Sequence, residues 1–264
     1  MPDRSIDTSI KIAGLTLMQA IGNLPDLSVL LTAGCIALAA GLLHGYSGFG
    51  GALMMVPVMS HLLDPAQAVA VTMIAVSLGQ ISLVVRAAPI AQWRELIPFL
   101  AACSVAMPLG VFILAVTDVV TLRRLVAFGT IAMATLLLSG WAYRGRRTIL
   151  MSGIFGALIG LIGGASGQGG PIAVAYFIAA PTDAHIQRAN IVTAVSCATL
   201  ALLVGLFLAN ILTAKTFYFG MALSVPFILG TWLGGRAFAL VPIRHYKPIV
   251  LGLLFLAGIS TVLA

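Results

Sequence analysis

The chain has 264 residues, 61% of them hydrophobic and 8% charged, with a formal net charge of +7. Soluble domains carry about 25% charged residues, so this composition, with a mean hydropathy of +1.12, excludes an ordinary globular protein. The 14 lysines and arginines lie scattered in short loops with no basic run beyond "RGRR" at 144–147; they read as topology-setting loop cations and argue against nucleic acid as a partner.

In chain order, residues 1–27 form an N-terminal segment whose mildly apolar part, Thr8 to Asn23, is expected at the membrane surface. It lacks the charged start and small-residue cleavage site of a secretory signal. Full crossings are expected near 28–45, 67–87, 95–116 and 121–143, then near 149–163, 186–209, 215–236 and 244–263, since each run can traverse about 30 Å of hydrocarbon. Two shorter apolar segments, 52–62 and 171–180, are half-membrane length, about 15 Å at 1.5 Å per residue. The expected fold is therefore all-α and polytopic, with about eight full transmembrane helices and two short re-entrant or broken half-helices. Cys35, Cys103 and Cys197 lie in apolar runs without motif spacing and read as small buried residues. No metal or cofactor set is indicated.

Two related halves are expected, 28–143 and 144–264. A shift of 119 residues lays Gly41, Leu42, Gly45, Ser47, Gly48, Gly50 and Gly51 on Gly160, Leu161, Gly164, Ser166, Gly167, Gly169 and Gly170, seven identities in eleven positions. The same shift pairs Asp64 with Asp183, and a shift of 120 pairs Gly110 with Gly230. Glycine-interrupted hydrophobic segments at matching places in two halves point to a transporter with its substrate site at the interruptions.

The interruptions are "GYSGFGGA" (45–52) and "GASGQGGP" (164–171). Glycine adopts backbone angles closed to other residues, so SGxGG is expected to break a helix and restart it near Gly51 and Gly170, with Gly169 at positive φ. The first turns of the restarted helices leave N–H groups unpaired at the positive end of the helix dipole. Two such termini meeting near the midplane make an anion site without a buried lysine or arginine. Ser47, Ser166 and Gln168 are expected to add hydrogen bonds, and Pro171 suits the first turn of the second restart. Gly153, Gly156 and Gly160, at closer to every fourth residue, are assigned to helix packing instead.

Paired SGxGG segments, each opening a four-helix half, resemble the sulfite exporter TauE/SafE family of membrane permeases, over roughly residues 28–264. The resemblance implies transport, often export, of small sulfur-containing anions such as sulfite or organosulfonates. It implies that Ser47, Gly48, Gly50 and Gly51 line the site with Ser166, Gly167, Gly169 and Gly170. The copies differ at Phe49 against Gln168 and at Ala52 against Pro171, so one side of the site is polar and the other apolar, which suits an organic anion.

Two other classes share features of this sequence. "GYSG" and "GASG" match the GxSG nucleophile motif of rhomboid-type intramembrane serine proteases, but such an enzyme needs a histidine base within reach of the serine. Here the motif is duplicated, and His44 has only Gly163 as its equivalent, so a non-enzyme is expected. A passive anion channel is the other alternative. Accessory positions are His44, read as structural or gating; Tyr46; Arg188, read as a surface anchor or a guide for the anion; and Asn190, read as a surface cap. Asp64 and Asp183 are expected to cap the helices after them, and all seven acids fall in loops or span ends, which argues against coupling through a midplane carboxylate. Inverted halves would place nine cations on one side and five on the other, a sharper split than the eight to six of parallel halves, so inversion with the nine-cation side cytoplasmic is expected. The location expected is the bacterial plasma (inner) membrane. The anion, the direction of transport and the choice between monomer and homodimer are not specified.

Overall fold

A computed structural model describes residues 26–178 and 180–240. Among them it is all-helical: α1 (Leu27–Ser47), α2 (Gly51–Met59), α3 (Pro65–Ala87), α4 (Trp93–Val116), α5 (Val119–Ser139), α6 (Ile149–Ser166), α7 (Gly170–Phe177), α8 (Ala184–Leu208) and α9 (Ala214–Leu240). Seven of these are long and apolar enough to cross a membrane, and α2 and α7 are the two short segments. The expected span at 244–263, the surface segment at 8–23 and Tyr246 lie outside the described residues. The protein is an integral membrane protein.

Local chemistry sets the helix ends. Asp64 accepts a hydrogen bond from the Ala66 N–H at 3.0 Å, and Asp118 accepts one from the Thr121 N–H at 3.0 Å, each filling a vacancy at a helix start. That Thr121 N–H holds the Asp118 carboxyl below its usual range. Asp183 stands at the N-cap of α8 but its side chain makes no cap bond, so only one of the two expected aspartate caps forms. The fourth span ends at Ser139 rather than 143, because Gly140 closes it in the left-handed conformation at φ +64°. Large apolar side chains such as Val105, Phe112, Leu208 and Leu229 are exposed, as a lipid-facing surface requires.

Close helix contacts fix the arrangement. A Cβ on Gly156 would stand 2.0 Å from Phe99 O, and one on Gly160 would stand 2.4 Å from Cys103 O. Thus α6 runs parallel to α4 at backbone contact. In the other half, Gly41 meets Phe227 O at 2.3 Å and Gly45 meets Thr231 O at 2.0 Å by the same measure, so α1 runs parallel to α9. The first helix of each half is therefore clamped by the fourth helix of the other. Gly153, expected in this seam, has nothing within 4 Å of its Cβ position, so the close contact does not extend to it. Cys35 is exposed rather than buried, on a face of α1 that no described helix covers.

Equivalent helices oppose each other. Gln80 of α3 hydrogen-bonds to Ser196 and Thr199 of α8, while Gln92, beyond the end of α3, meets Asn190 near the start of α8. The two helices therefore run antiparallel, and Gln80 and Thr199, 119 residues apart, touch directly. The halves are related by inversion, as expected, but through a different count. Arg147 Nη1 pairs with Glu95 Oε2 at 3.1 Å, and its Nη2 donates to Tyr176 O at 2.8 Å. This places the C-terminus of α7 beside the starts of α4 and α6. Likewise Ala33 of α1, Met59 of α2, Ala68 of α3 and Phe219 of α9 share one apolar cluster. Each broken pair, α1–α2 and α6–α7, is thus a hairpin entering and leaving by the same end of the bundle.

Arg86, Arg94, Arg144, Arg146, Arg147, Arg188 and Arg236 gather at one end; Arg123, Arg124 and Lys215 are at the other. By the positive-inside rule the first end is the expected cytoplasmic one. Single cysteines replacing Arg144 and Leu212 in a cysteine-free background are expected to label from opposite sides of the membrane with an impermeant maleimide, Arg144→Cys only after permeabilisation from outside. Labelling of both from one side would contradict this topology.

Candidate functional site

Glycine ends one helix and opens the next at each break. The N–H of Gly48, at φ +80°, donates to His44 O, and that of Gly167, at φ +72°, donates to Gly163 O, both at 2.7 Å. These are left-handed helix closures that a side chain would strain. The restarts differ. Gly50 enters α2 at φ +91°, whereas Gly169 enters α7 at φ −68°. The expected positive φ at Gly169 is therefore not found. Its lack of a side chain is explained by packing, because a Cβ would stand 2.5 Å from Ile159 Cγ1 and 2.9 Å from Ile159 O. A bulky residue there would disturb the α6–α7 hairpin before it affected any ligand.

The two restarts meet. A Cβ on Gly170 would lie 3.7 Å from Phe49 Cβ, and one cavity is lined by Gly50, Ala52 and Leu53 from the first restart and by Gln168, Gly170 and Pro171 from the second. Val76 of α3, Val195 and Thr199 of α8 and His44 of α1 complete it. The space open to the centre of a water-sized sphere is ≈ 30 Å³, room for one or two waters. The backbone N–H groups of Gly51, Ala52 and Leu53, and those of Gln168, Gly169 and Gly170, have no hydrogen-bond partner among the described residues. Two helix starts with unpaired donors thus border one pocket, and among the described residues no Asp, Glu, Lys or Arg lines it.

The family model for the sulfite exporter TauE/SafE matches residues 33–261. The chain belongs to the sulfite exporter TauE/SafE family. No curated protein and no solved structure matches it. Members of the TauE/SafE family are membrane permeases, so the role of this chain is transport across a membrane.

Of the positions picked from sequence in this TauE/SafE protein, His44, Gly50, Gln168 and Gly170 line the cavity. Phe49 covers Gly170 from the side, and Gly51 packs on the Phe227 ring, with 2.8 Å from its Cβ position to Cζ. Neither serine is among the residues that line the cavity, although Ser47 Oγ lies 3.6 Å from the Cβ position of Gly50. Ser166 Oγ donates to Ile162 O at 2.8 Å, and Ser47 Oγ donates to Leu43 O at 2.7 Å while also touching Phe49 O. Neither hydroxyl bonds to an imidazole. With its proton committed to its own helix, Ser166→Ala is expected to change transport by less than about threefold, measured as initial rate per folded protein; a tenfold loss would place the hydroxyl on the substrate.

Tyr46 is buried in the α1–α9 seam, its N atom 3.0 Å from the Cβ position of Gly234. Asn190 is not at the surface, as expected from sequence, but fully buried. Its Oδ1 accepts from Gln92 N at 2.7 Å and its Nδ2 donates to Gln92 Oε1 at 3.2 Å, so it caps α4 across the interface between halves. Arg188 Nη2 lies 3.5 Å from Gly45 O, and its Nε lies 3.7 Å from the Cβ position of Gly48, which sets a guanidinium beside the first break. His44 makes no structural hydrogen bond: both ring nitrogens are buried without a partner, and the ring lies 5.5 Å from that of Phe227. Sequence reasoning missed the contribution of α3 and α8. The signal was present, since Val76 and Val195 are 119 residues apart and so equivalent, but valines in apolar spans carry no mark of a site.

Proposed function

We propose that this protein is a secondary transporter of small sulfur-containing anions, sulfite or organosulfonates, and that it works as an exporter of the bacterial inner membrane. The observation that carries this reading is the convergence of two helix N-termini, with unpaired N–H groups, on one cavity with no carboxylate among its described lining residues. Such termini bind sulfate, phosphate and carboxylate groups without a counter-charge. Gly48, Gly50, Gly51, Gly167, Gly169 and Gly170 shape the backbone that approaches the anion, and Ser47 and Ser166 stiffen the ends of the helices before it. Arg188 supplies positive potential beside the first break. The cavity is smaller than a sulfonate, so binding requires the hairpins α1–α2 and α6–α7 to part. That requirement favours a carrier over a permanently open channel. The acids of the described residues support coupling that does not use a midplane carboxylate: Asp26, Asp64, Asp118 and Asp183 hold N-cap positions, and Glu95 lies in the first turn of α4.

The test is a thermal-shift screen of purified full-length protein against sodium salts of sulfite, sulfate, sulfonates and carboxylates. An anion binding at a hundred times its Kd adds about 2.7 kcal/mol to the apparent stability, and sulfite or a sulfonate is expected to give the largest rise. Shifts that follow the cation alone would overturn the anion site.

A further inference from the structure

Two buried side chains that line the cavity carry polar atoms without partners, both ring nitrogens of His44 and the Oε1 of Gln168, the latter 3.2 Å from the Cβ position of Gly129. His44 is 1% exposed with Nδ1 and Nε2 both unbonded, and Gln168 is 1% exposed with Oε1 unbonded. The orientation of the Gln168 amide follows from its neighbour. Thr130 Oγ1 gives its proton to Val126 O at 2.8 Å, so it can only accept from Gln168, at 2.8 Å from Nε2. The carbonyl oxygen is therefore the end left over, and it needs a donor. A neutral imidazole presents one donor and one acceptor. Together the two side chains offer two acceptors and one donor, while the helix N-termini beside them offer only donors. Both side chains stand where the copies depart from each other: the equivalent of His44 is Gly163, and that of Gln168 is Phe49.

A fully deprotonated oxyanion satisfies the N–H groups and leaves both acceptors bare. A water held between them would be displaced without replacement, which costs affinity. We propose that the transported anion carries a hydrogen-bond donor of its own, an O–H or N–H group received by Gln168 Oε1 or the acceptor nitrogen of His44. This rests on the anion-site reading above. Two sources share that chemistry: an organic anion with a separate hydroxyl or amino group, and an oxyanion protonated on its anionic head.

Calorimetry on the purified full-length protein separates them with two matched pairs of probes. The organic pair is 2-hydroxyethanesulfonate against ethanesulfonate. The second pair is hydrogensulfite against methanesulfonate, both monoanions at mildly acidic pH. A preference of about tenfold or more for the donor-bearing member is expected in at least one pair; the pair that shows it identifies the source. Gln168→Met is expected to cut that preference to less than about threefold. Equal binding within both pairs would mean that water alone serves these groups and would overturn the inference while leaving the anion site intact. Absence of binding by all four probes would remove the anion site itself, and the inference with it.

Discussion

Gly156→Ala and Gly45→Ala are each expected to remove most of the folded protein from the membrane. In both cases the new methyl would be placed 2.0 Å from a backbone carbonyl oxygen, Phe99 O or Thr231 O. No rotamer relieves that contact, because the obstacle is backbone, so the helix pair must separate along its length. Overpacking a tight core costs about 1–3 kcal/mol, occasionally more, and here about 3 kcal/mol or more is expected, since neighbouring glycines hold the same seam. Gly153→Ala is the control. Its methyl meets nothing within 4 Å, and a glycine replaced at a compatible helical position gains about 0.4–1 kcal/mol. Monodisperse protein recovered on size exclusion, together with its thermal midpoint, measures all three. Wild-type recovery of Gly156→Ala would show that α4 and α6 are not in backbone contact.

The second large effect is expected at Ala52, where Ala52→Val should abolish transport and spare the fold. Ala52 lies in the first turn of α2, lines the cavity and carries one of the unpaired N–H groups. The added methyls occupy a space of ≈ 30 Å³, which is the volume the anion must enter and enlarge. Blocking it is expected to lower the transport rate by about thirtyfold or more, equivalent to about 2 kcal/mol of lost binding. Ala52 is only half-buried and its side chain borders open space, so yield and thermal midpoint should hold. Ala52→Ser, which leaves the space open, should stay within about threefold of wild type. Full transport by Ala52→Val would move the substrate path away from the two breaks.

Gly156 and Gly169, which the sequence assigns to packing and to a positive φ respectively, do not differ in this way. Both positions prove to be packed against neighbouring backbone, so both would fail for the same reason. Glycine has two separate uses, freedom in φ and closeness of approach, and a one-letter code does not distinguish them. Gly167 serves the first use, at φ +72°, and Gly169 serves the second, at φ −68°.

By itself the sequence determined the membrane class, the order of the described helices, the two breaks and their relation by 119 residues. Those features are local: run length against bilayer thickness, glycine clusters within apolar runs, and identity at a fixed offset. They also singled out Gln168 and Gly170, which line the cavity, because a polar or flexible residue inside a hydrophobic span stands out against its surroundings. Only the tertiary structure decided which helices meet. That α1 packs on α9 and α6 on α4 depends on contacts more than 50 residues apart in the chain, and every small-residue stripe is compatible with several partners. Burial was decided at the same level. Asn190 could cap a surface helix or an internal one until Gln92 was brought beside it, and His44 could be bonded or bare until the ring was placed against Phe227 with no partner for either nitrogen. Hydrogen-bond satisfaction belongs to the neighbours that folding supplies, and those come from elements the chain does not place side by side.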